Sequence, residues 1–286
     1  MRWTPGDRGN IEDLRGRSGM GMRAGGLGIG GLLVMLVLSW ATGVDFLSLL
    51  GGGGGAPVES VGTSGTGAVA STPEEEKLVD FVDAVMQDTQ QTWGGLLGSR
   101  YQPTKARLFR DGVESGCGFA QSASGPFYCP ADHFVYLDLG FFNELRRRFG
   151  ASGDFAEAYV LAHEVGHHVQ SLLGLDGQIR EQQASDPRTR NDLSVRLELQ
   201  ADCFAGVWAH ATNKSGRGNQ GLVEMEAGDL EEGLRAAAAI GDDRIQRMST
   251  GHVFPEKFTH GSSEQRVTWL RRGFESGNPD ACNTFQ

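Results

Sequence analysis

Residues 161–170 read LAHEVGHHVQ, placing three of the chain's seven histidines within ten residues, with a glutamate directly after the first. His163 and His167 are four apart. On an α-helix that is about 40° of rotation and one turn of rise, so both imidazoles leave the same face. Their nitrogens can meet on one tetrahedral ion with bonds of about 2.0–2.1 Å. Glu164 is rotated by about 100° from His163, so it borders such an ion without ligating it and can take a proton from water there. His168 is offset by one residue too many to pair with His163 and reads as a neighbour. The helix is well signalled: Asp154 and Glu157 mark its start, Tyr159, Ala162, Gly166, Val169 and Leu173 mark one flank, and Gly174 is a stop.

A third ligand is needed, and Leu197-Glu198-Leu199-Gln200-Ala201-Asp202 supplies it. Glu198 and Asp202 are again four apart, on a helix expected over Leu193–Ala211 with apolar neighbours Phe204, Val207 and Trp208. Unpaired acids in such surroundings are costly. Glu198 can complete a set of two histidines and one glutamate for a single Zn²⁺, leaving the fourth position open. Asp202 can accept from the far nitrogen of a ligand histidine. His260 is the candidate oxyanion donor, with His252 and Arg266 behind it; the competing reading makes His260 a loop residue before a helix starting near Ser262.

The rest of the chain sets the frame. Of 286 residues, 39% are hydrophobic and 22% charged, which suits a globular domain with extensions, and the formal net charge of −10 argues against nucleic acid as a partner. Residues 24–44 carry no charge over a length of about 30 Å, that of a bilayer core. Five arginines precede them (Arg2, Arg8, Arg15, Arg17, Arg23), and no basic residue follows until Lys77. The expectation is a single transmembrane anchor with residues 1–23 in the cytoplasm and the domain outside; a cleaved signal peptide is the alternative. Residues 45–71 read as a Gly/Ser-rich linker. The domain proper, 72–286, opens with Thr72-Pro73-Glu74-Glu75, a cap, a helix-starting proline and a capping-box glutamate.

The coarse expectation is an α+β, mainly helical domain with a small β-sheet. Strands are expected over 101–109 and 133–139, the latter a candidate edge for an extended peptide, with Tyr136 and Asp138 either facing the site or packing. Turns fill 112–130. Helices are expected over 141–149, 223–240 and 263–274, and 175–192 reads as a surface loop. Four cysteines in a segment placed outside the cell suggest disulfides. Of three pairings the short loop favours Cys117–Cys129, leaving Cys203 with Cys282; four buried thiols are the alternative.

HEVGHHVQ, the downstream ELQADCFAGVWA, CGFAQSASGPFYCP and THGSSEQR together resemble the neutral zinc metallopeptidases of bacteria, the YpfJ-like family. The resemblance runs over nearly the whole chain. It implies a zincin-like fold with a glutamate third ligand, and it brings no defined substrate. The expected protein is thus a membrane-anchored zinc peptidase of a bacterial cell membrane, acting on protein or peptide. A non-catalytic zinc-binding or interaction protein on the same scaffold is the alternative.

Overall fold

The computed structural model describes residues 1–16, 71–213 and 222–285. In chain order the elements are β1 (Arg2–Trp3), β2 (Ile11–Asp13), α1 (Pro73–Leu97), β3 (Lys105–Phe109), β4 (Gly112–Ser115), β5 (Gly118–Gln121), β6 (Phe127–Cys129), β7 (Phe134–Asp138) and α2 (Gly140–Arg147). There follow α3 (Asp154–Leu172), α4 (Leu175–Ser185), α5 (Arg190–Asn213), β8 (Val223–Glu224), α6 (Asp229–Ala239), α7 (Asp242–Thr250) and α8 (Ser263–Ser276). The α+β, mainly helical expectation holds.

Helix α1 starts as its sequence dictates. The Thr72 hydroxyl accepts from the Glu75 N–H at 3.2 Å, Pro73 occupies the first turn, and three glutamates face the positive helix end. Its buried stripe, Val79, Val82, Val85 and Met86, packs on α3. Helix α3 is buried on nearly every side, from Phe155 to Gly166. A helix apolar all round belongs at the centre of a domain, and α1, α5 and α6 all pack against this one. Two glycines set the spacing around it. A Cβ at Gly166 would lie 3.0 Å from the Ala201 carbonyl oxygen, so this glycine lets α3 approach α5 closely. A Cβ at Gly273 would stand 1.9 Å from the Cys203 carbonyl oxygen, so α8 is pressed equally tightly onto α5. The start of α3 differs in detail from expectation: Gly153, at φ 116°, is the cap, and Asp154 is the first helical residue.

The main sheet has the order β2-β3-β7-β6, with β2 and β7 parallel to β3 and β6 antiparallel to β7. This corrects one expectation. The 133–139 strand is interior, hydrogen-bonded on both sides, and the edge is β6, hidden in a stretch read as turns. Tyr136 and Asp138 pack away from the histidines: the Tyr136 hydroxyl donates to Asp132 at 2.6 Å, and Asp138 accepts from Ser122 and from the Gly140 N–H. The segment 175–192 is also no loop, since it holds α4 and the first turn of α5. Both expected disulfides form, Cys117–Cys129 and Cys203–Cys282. The first ties the β4–β5 hairpin to β6, and the second ties the C-terminal tail to α5.

The largest correction concerns the N-terminus. Residues 1–16 belong to the same folded body as the domain. Strand β1 pairs antiparallel with β8, and β2 pairs parallel with β3. Trp3 meets Phe81 of α1 edge to face at 5.5 Å. Arg8 pairs with Glu76 and Asp80, each at 2.6 Å, and Asn10 bonds Asp83. Arg15 and Ser71 both donate to the same Glu76 oxygen, at 2.9 and 2.6 Å. A cytoplasmic segment 1–23 facing an external domain across one membrane crossing does not fit these pairings. The expected anchor, 24–44, and all but the last residue of the expected linker, 45–71, lie outside the described residues. Among the described residues no helix is long and apolar enough to cross a membrane.

Candidate metal centre

The three expected ligands converge. His163 Nε2 lies 3.1 Å from one Glu198 oxygen, and His167 Nε2 lies 3.5 Å from the other. One ligand atom from each of the three residues falls within 4.8 Å of the other two. A tetrahedral ion with bonds of about 2.0–2.1 Å has ligand–ligand edges of about 3.3–3.4 Å, so a zinc ion fits this donor set. His163 and His167 come from α3, one turn apart, and Glu198 from α5. The close approach at Gly166 brings the two helices together at this level.

Each histidine is oriented from behind. His163 Nδ1 lies 2.8 Å from Asp202 Oδ1, so its Nε2 lone pair is directed at the centre. His167 Nδ1 meets the side-chain Oε1 of Gln170 at 2.9 Å, and Gln170 Nε2 in turn donates to the Leu197 backbone carbonyl and to Gln200 Oε1. Asp202, fully buried, accepts from Tyr159 at 2.5 Å and from Arg266 Nε and Nη2 at 2.8 and 2.9 Å. Burial alone would raise the Asp202 pKa; Arg266 and His163 outweigh it and hold it at about 2.

Arg266 is therefore a supporter of the His163–Asp202 pair, not a group behind His260 as the sequence suggested. His252 is exposed beside Phe254. His168 points elsewhere, its Nε2 2.6 Å from the Gln102 carbonyl and its Nδ1 3.1 Å from the Tyr128 hydroxyl. Sequence reading missed Tyr159, Gln170 and Asp242. Tyr159 lies four residues before His163, and Gln170 three after His167, so helical spacing held a signal for both. Asp242 had none.

The electrostatics show an anionic pocket for a cation. Burial by itself lowers the His163 pKa, yet Asp202 and Glu198 raise it to about 10. His167 is raised in the same way, chiefly by Glu198 against the effect of burial. Glu198 lies well below the usual carboxylate range, because the two rings outweigh its own burial. A dication bound by these side chains would need both rings in the neutral form, so its binding would release protons. Glu164 behaves oppositely: burial pushes its pKa up, and the histidines only partly offset this. The Tyr128 N–H of β6 is within hydrogen-bonding reach of its carboxylate.

These groups line a cleft of about 550 Å³ between α3, α5, β6 and the loop before α8. His260 lies on its wall, with about half of its side chain exposed. The loop histidine does precede a helix capped by Ser262, in a capping box with Gln265. It is also held towards the cleft: Asp242 accepts from its Nδ1 at 3.2 Å and from the N–H groups of Thr259, His260 and Gly261 at 2.6–3.1 Å. A second cavity, of about 640 Å³, lies by the start of α1, but its arginines are paired with its acids, Arg110 with Glu75 and Arg146 with Glu157.

Residues 1–285 match the family described as "Putative neutral zinc metallopeptidase". The chain is 45% identical to the uncharacterized protein YpfJ of Escherichia coli K12, over 100% of this chain and 99% of the relative. It is 45% identical to the uncharacterized protein Rv2575 of Mycobacterium tuberculosis, over 77% of this chain and 73% of the relative. No solved structure matches. The donor set, its buried glutamate neighbour and the match along nearly the full length agree: the chain belongs to the neutral zinc metallopeptidase family.

Proposed function

We propose that the chain is a zinc-dependent peptidase with a zincin-like site, in which His163, His167 and Glu198 hold one zinc ion and Glu164 is the general base. The observation that carries this reading is Glu164 itself, a buried carboxylate at the edge of a donor set one protein ligand short of tetrahedral. A purely structural zinc site supplies four protein ligands and has no use for a desolvated acid beside them. The ion, when bound, supplies Lewis acidity towards a carbonyl and lowers the pKa of water to about 7.

The chain's own residues do the rest. Glu164 accepts a proton from the attacking water and delivers it to the departing amine as the C–O bond forms and the C–N bond breaks. Its raised pKa suits that return. His260, steadied by Asp242, is the donor to the developing oxyanion. Asp202, Tyr159 and Arg266 fix the His163 ring, and Gln170 fixes that of His167. The edge strand β6 flanks the cleft and offers backbone groups to an extended substrate. Two disulfides suit an oxidising compartment outside the cytoplasm, and we assign the site to it.

The competing reading is a zinc-binding protein that cuts nothing. The zinc-loaded full chain is compared with its Glu164→Gln variant for metal content and for cleavage of an unfolded protein and of a cell-wall peptide. Both forms should bind zinc, a chelator should abolish cleavage, and the variant should lose about 10²- to 10⁴-fold in turnover. Equal cleavage by both would remove Glu164 from the chemistry. Zinc in both with no cleavage by either would establish the binding protein.

A further inference from the structure

We propose that the C-terminal tail is part of the zinc site: residues 282–284 hold His167 and Glu198 in position from the far side of α5, through Gln200 and Gln170. Gln200 is thereby a positioning residue. This rests on the metal centre of the peptidase reading and adds the parts of the chain that set its affinity for the ion.

The tail reaches that place by a reversal. Helix α8 runs beside α5 in the same direction, for Arg266 meets Asp202, Gly273 abuts Cys203 and Gly277 abuts His210. Gly277, at φ 59°, ends α8 in the left-handed conformation that a glycine adopts without strain. The chain then returns antiparallel to α5. Cys282 is bonded to Cys203, and its carbonyl accepts from Gln200 Nε2 at 3.1 Å. Two residues on, the Thr284 hydroxyl donates to the Arg196 carbonyl at 2.7 Å, and the Thr284 carbonyl accepts from Arg196 Nη1 at 3.1 Å. Arg196, Gln200 and Cys203 are spaced four and three apart, so they form one stripe. Glu198 lies about 160° around the helix from that stripe.

The bonds between tail and metal ligand have a single sense. A carbonyl can only accept. The Cys282 carbonyl therefore takes an amide N–H of Gln200, and Gln200 Oε1 is left facing Gln170, 3.0 Å from its Nε2. The same Gln170 nitrogen donates to the Leu197 carbonyl at 2.7 Å, so both its N–H groups are used and its Oε1 turns to His167 Nδ1 at 2.9 Å. His167 must then donate from Nδ1, which leaves the Nε2 lone pair for the ion. Gln170, Gln200, Cys203, Cys282 and Thr284 are all buried, so water does not substitute for a lost partner. Glu198 is held by the same groups. The two backbone carbonyls before it, of Arg196 and Leu197, accept from Thr284 and Gln170. With the tail released, Gln200 is free to rotate its amide, and the direction of the relay to His167 is less firmly set.

The test reads zinc affinity of the full chain by competition with a chromogenic chelator, with no substrate present. Gln200→Met keeps the volume and the disulfide and removes the relay; it should bind zinc about tenfold more weakly. Replacing Cys203 and Cys282 together by Ala releases the tail and should weaken binding by about ten- to a hundredfold. Replacing Cys117 and Cys129 by Ala also removes a disulfide but leaves the relay intact, and should match wild type. Wild-type affinity in either of the first two variants, or an equal loss in the third, overturns the proposal. A wild-type chain that binds zinc and cuts nothing, with the two losses as expected, would sink the peptidase reading and leave the tail's role standing.

Discussion

Asp242 is half of a dyad that no spacing announces. It lies eighteen residues before His260, at the first turn of another helix. Its carboxylate gathers three backbone N–H groups and the His260 ring. Burial alone would raise its pKa; the His260 bonds outweigh that and lower it below the ordinary aspartate value. A lowered folded-state pKa means that the carboxylate stabilises the fold fully above about pH 4 and that the contribution disappears as pH falls through the lower, folded value. Asp242→Asn should therefore destabilise by about 2 kcal/mol at pH 7, because three backbone N–H groups and the His260 ring lose a charged acceptor. The gap to wild type should narrow steadily below about pH 4. Urea unfolding of both proteins across pH 3–8 checks this, and a gap that is flat with pH would mean that the charge is not what matters. The histidine pair, Glu164, Glu198 and Asp202 were legible because each is tied by short helical spacing to a partner on its own helix. Arg266 and Asp242 reach their partners across the fold, where periodicity carries no signal.

At the level of elements, long helices with apolar stripes and strong caps were legible: Thr72 started α1 and Ser262 started α8 as their sequences specify. What was misread was short or polar. Helix α4 has a single buried residue, Ile179, so it shows no stripe. Strand β6 is three residues long and sits among Gly, Ser and Pro, so its role as the edge surfaced only through pairing. Its Cys129 anchors it to the β4–β5 hairpin through a separation of 12 residues, whereas Cys203–Cys282 closes 79. Loop-closure entropy scales with the logarithm of that length, giving about 3 and about 4.5 kcal/mol for the two bonds. Replacing Cys203 and Cys282 together by Ala should therefore lower the melting temperature more than replacing Cys117 and Cys129. The shorter bond, beside the cleft, should instead show its larger effect on substrate binding. Calorimetry paired with peptide titration separates the two, and a reversed order would mean that strain or residual unfolded structure dominates.

For the whole molecule, the apolar run 24–44 read convincingly as an anchor because length and charge asymmetry are local properties. The pairing of residues 2–3 and 11–13 with strands more than ninety positions away is not local, and nothing in the composition of the first sixteen residues announces it. Removing residues 1–16 strips an edge strand from the main sheet, the Trp3–Phe81 contact and the ion pairs to α1. The shortened chain should lose several kcal/mol of stability, a large share of a typical total of 5–15. A melting temperature equal to that of the full chain would make the segment an ornament.

Glu76 holds Arg15 and Ser71 on a single oxygen, so the polypeptide departs from the fold and re-enters it at one spot. Gly16 and Ser71 can therefore be spliced: joining them through a handful of Gly and Ser residues should preserve the zinc content and raise the melting temperature by several degrees. It should even add about 2 kcal/mol, by shortening the loop that the folded chain has to close.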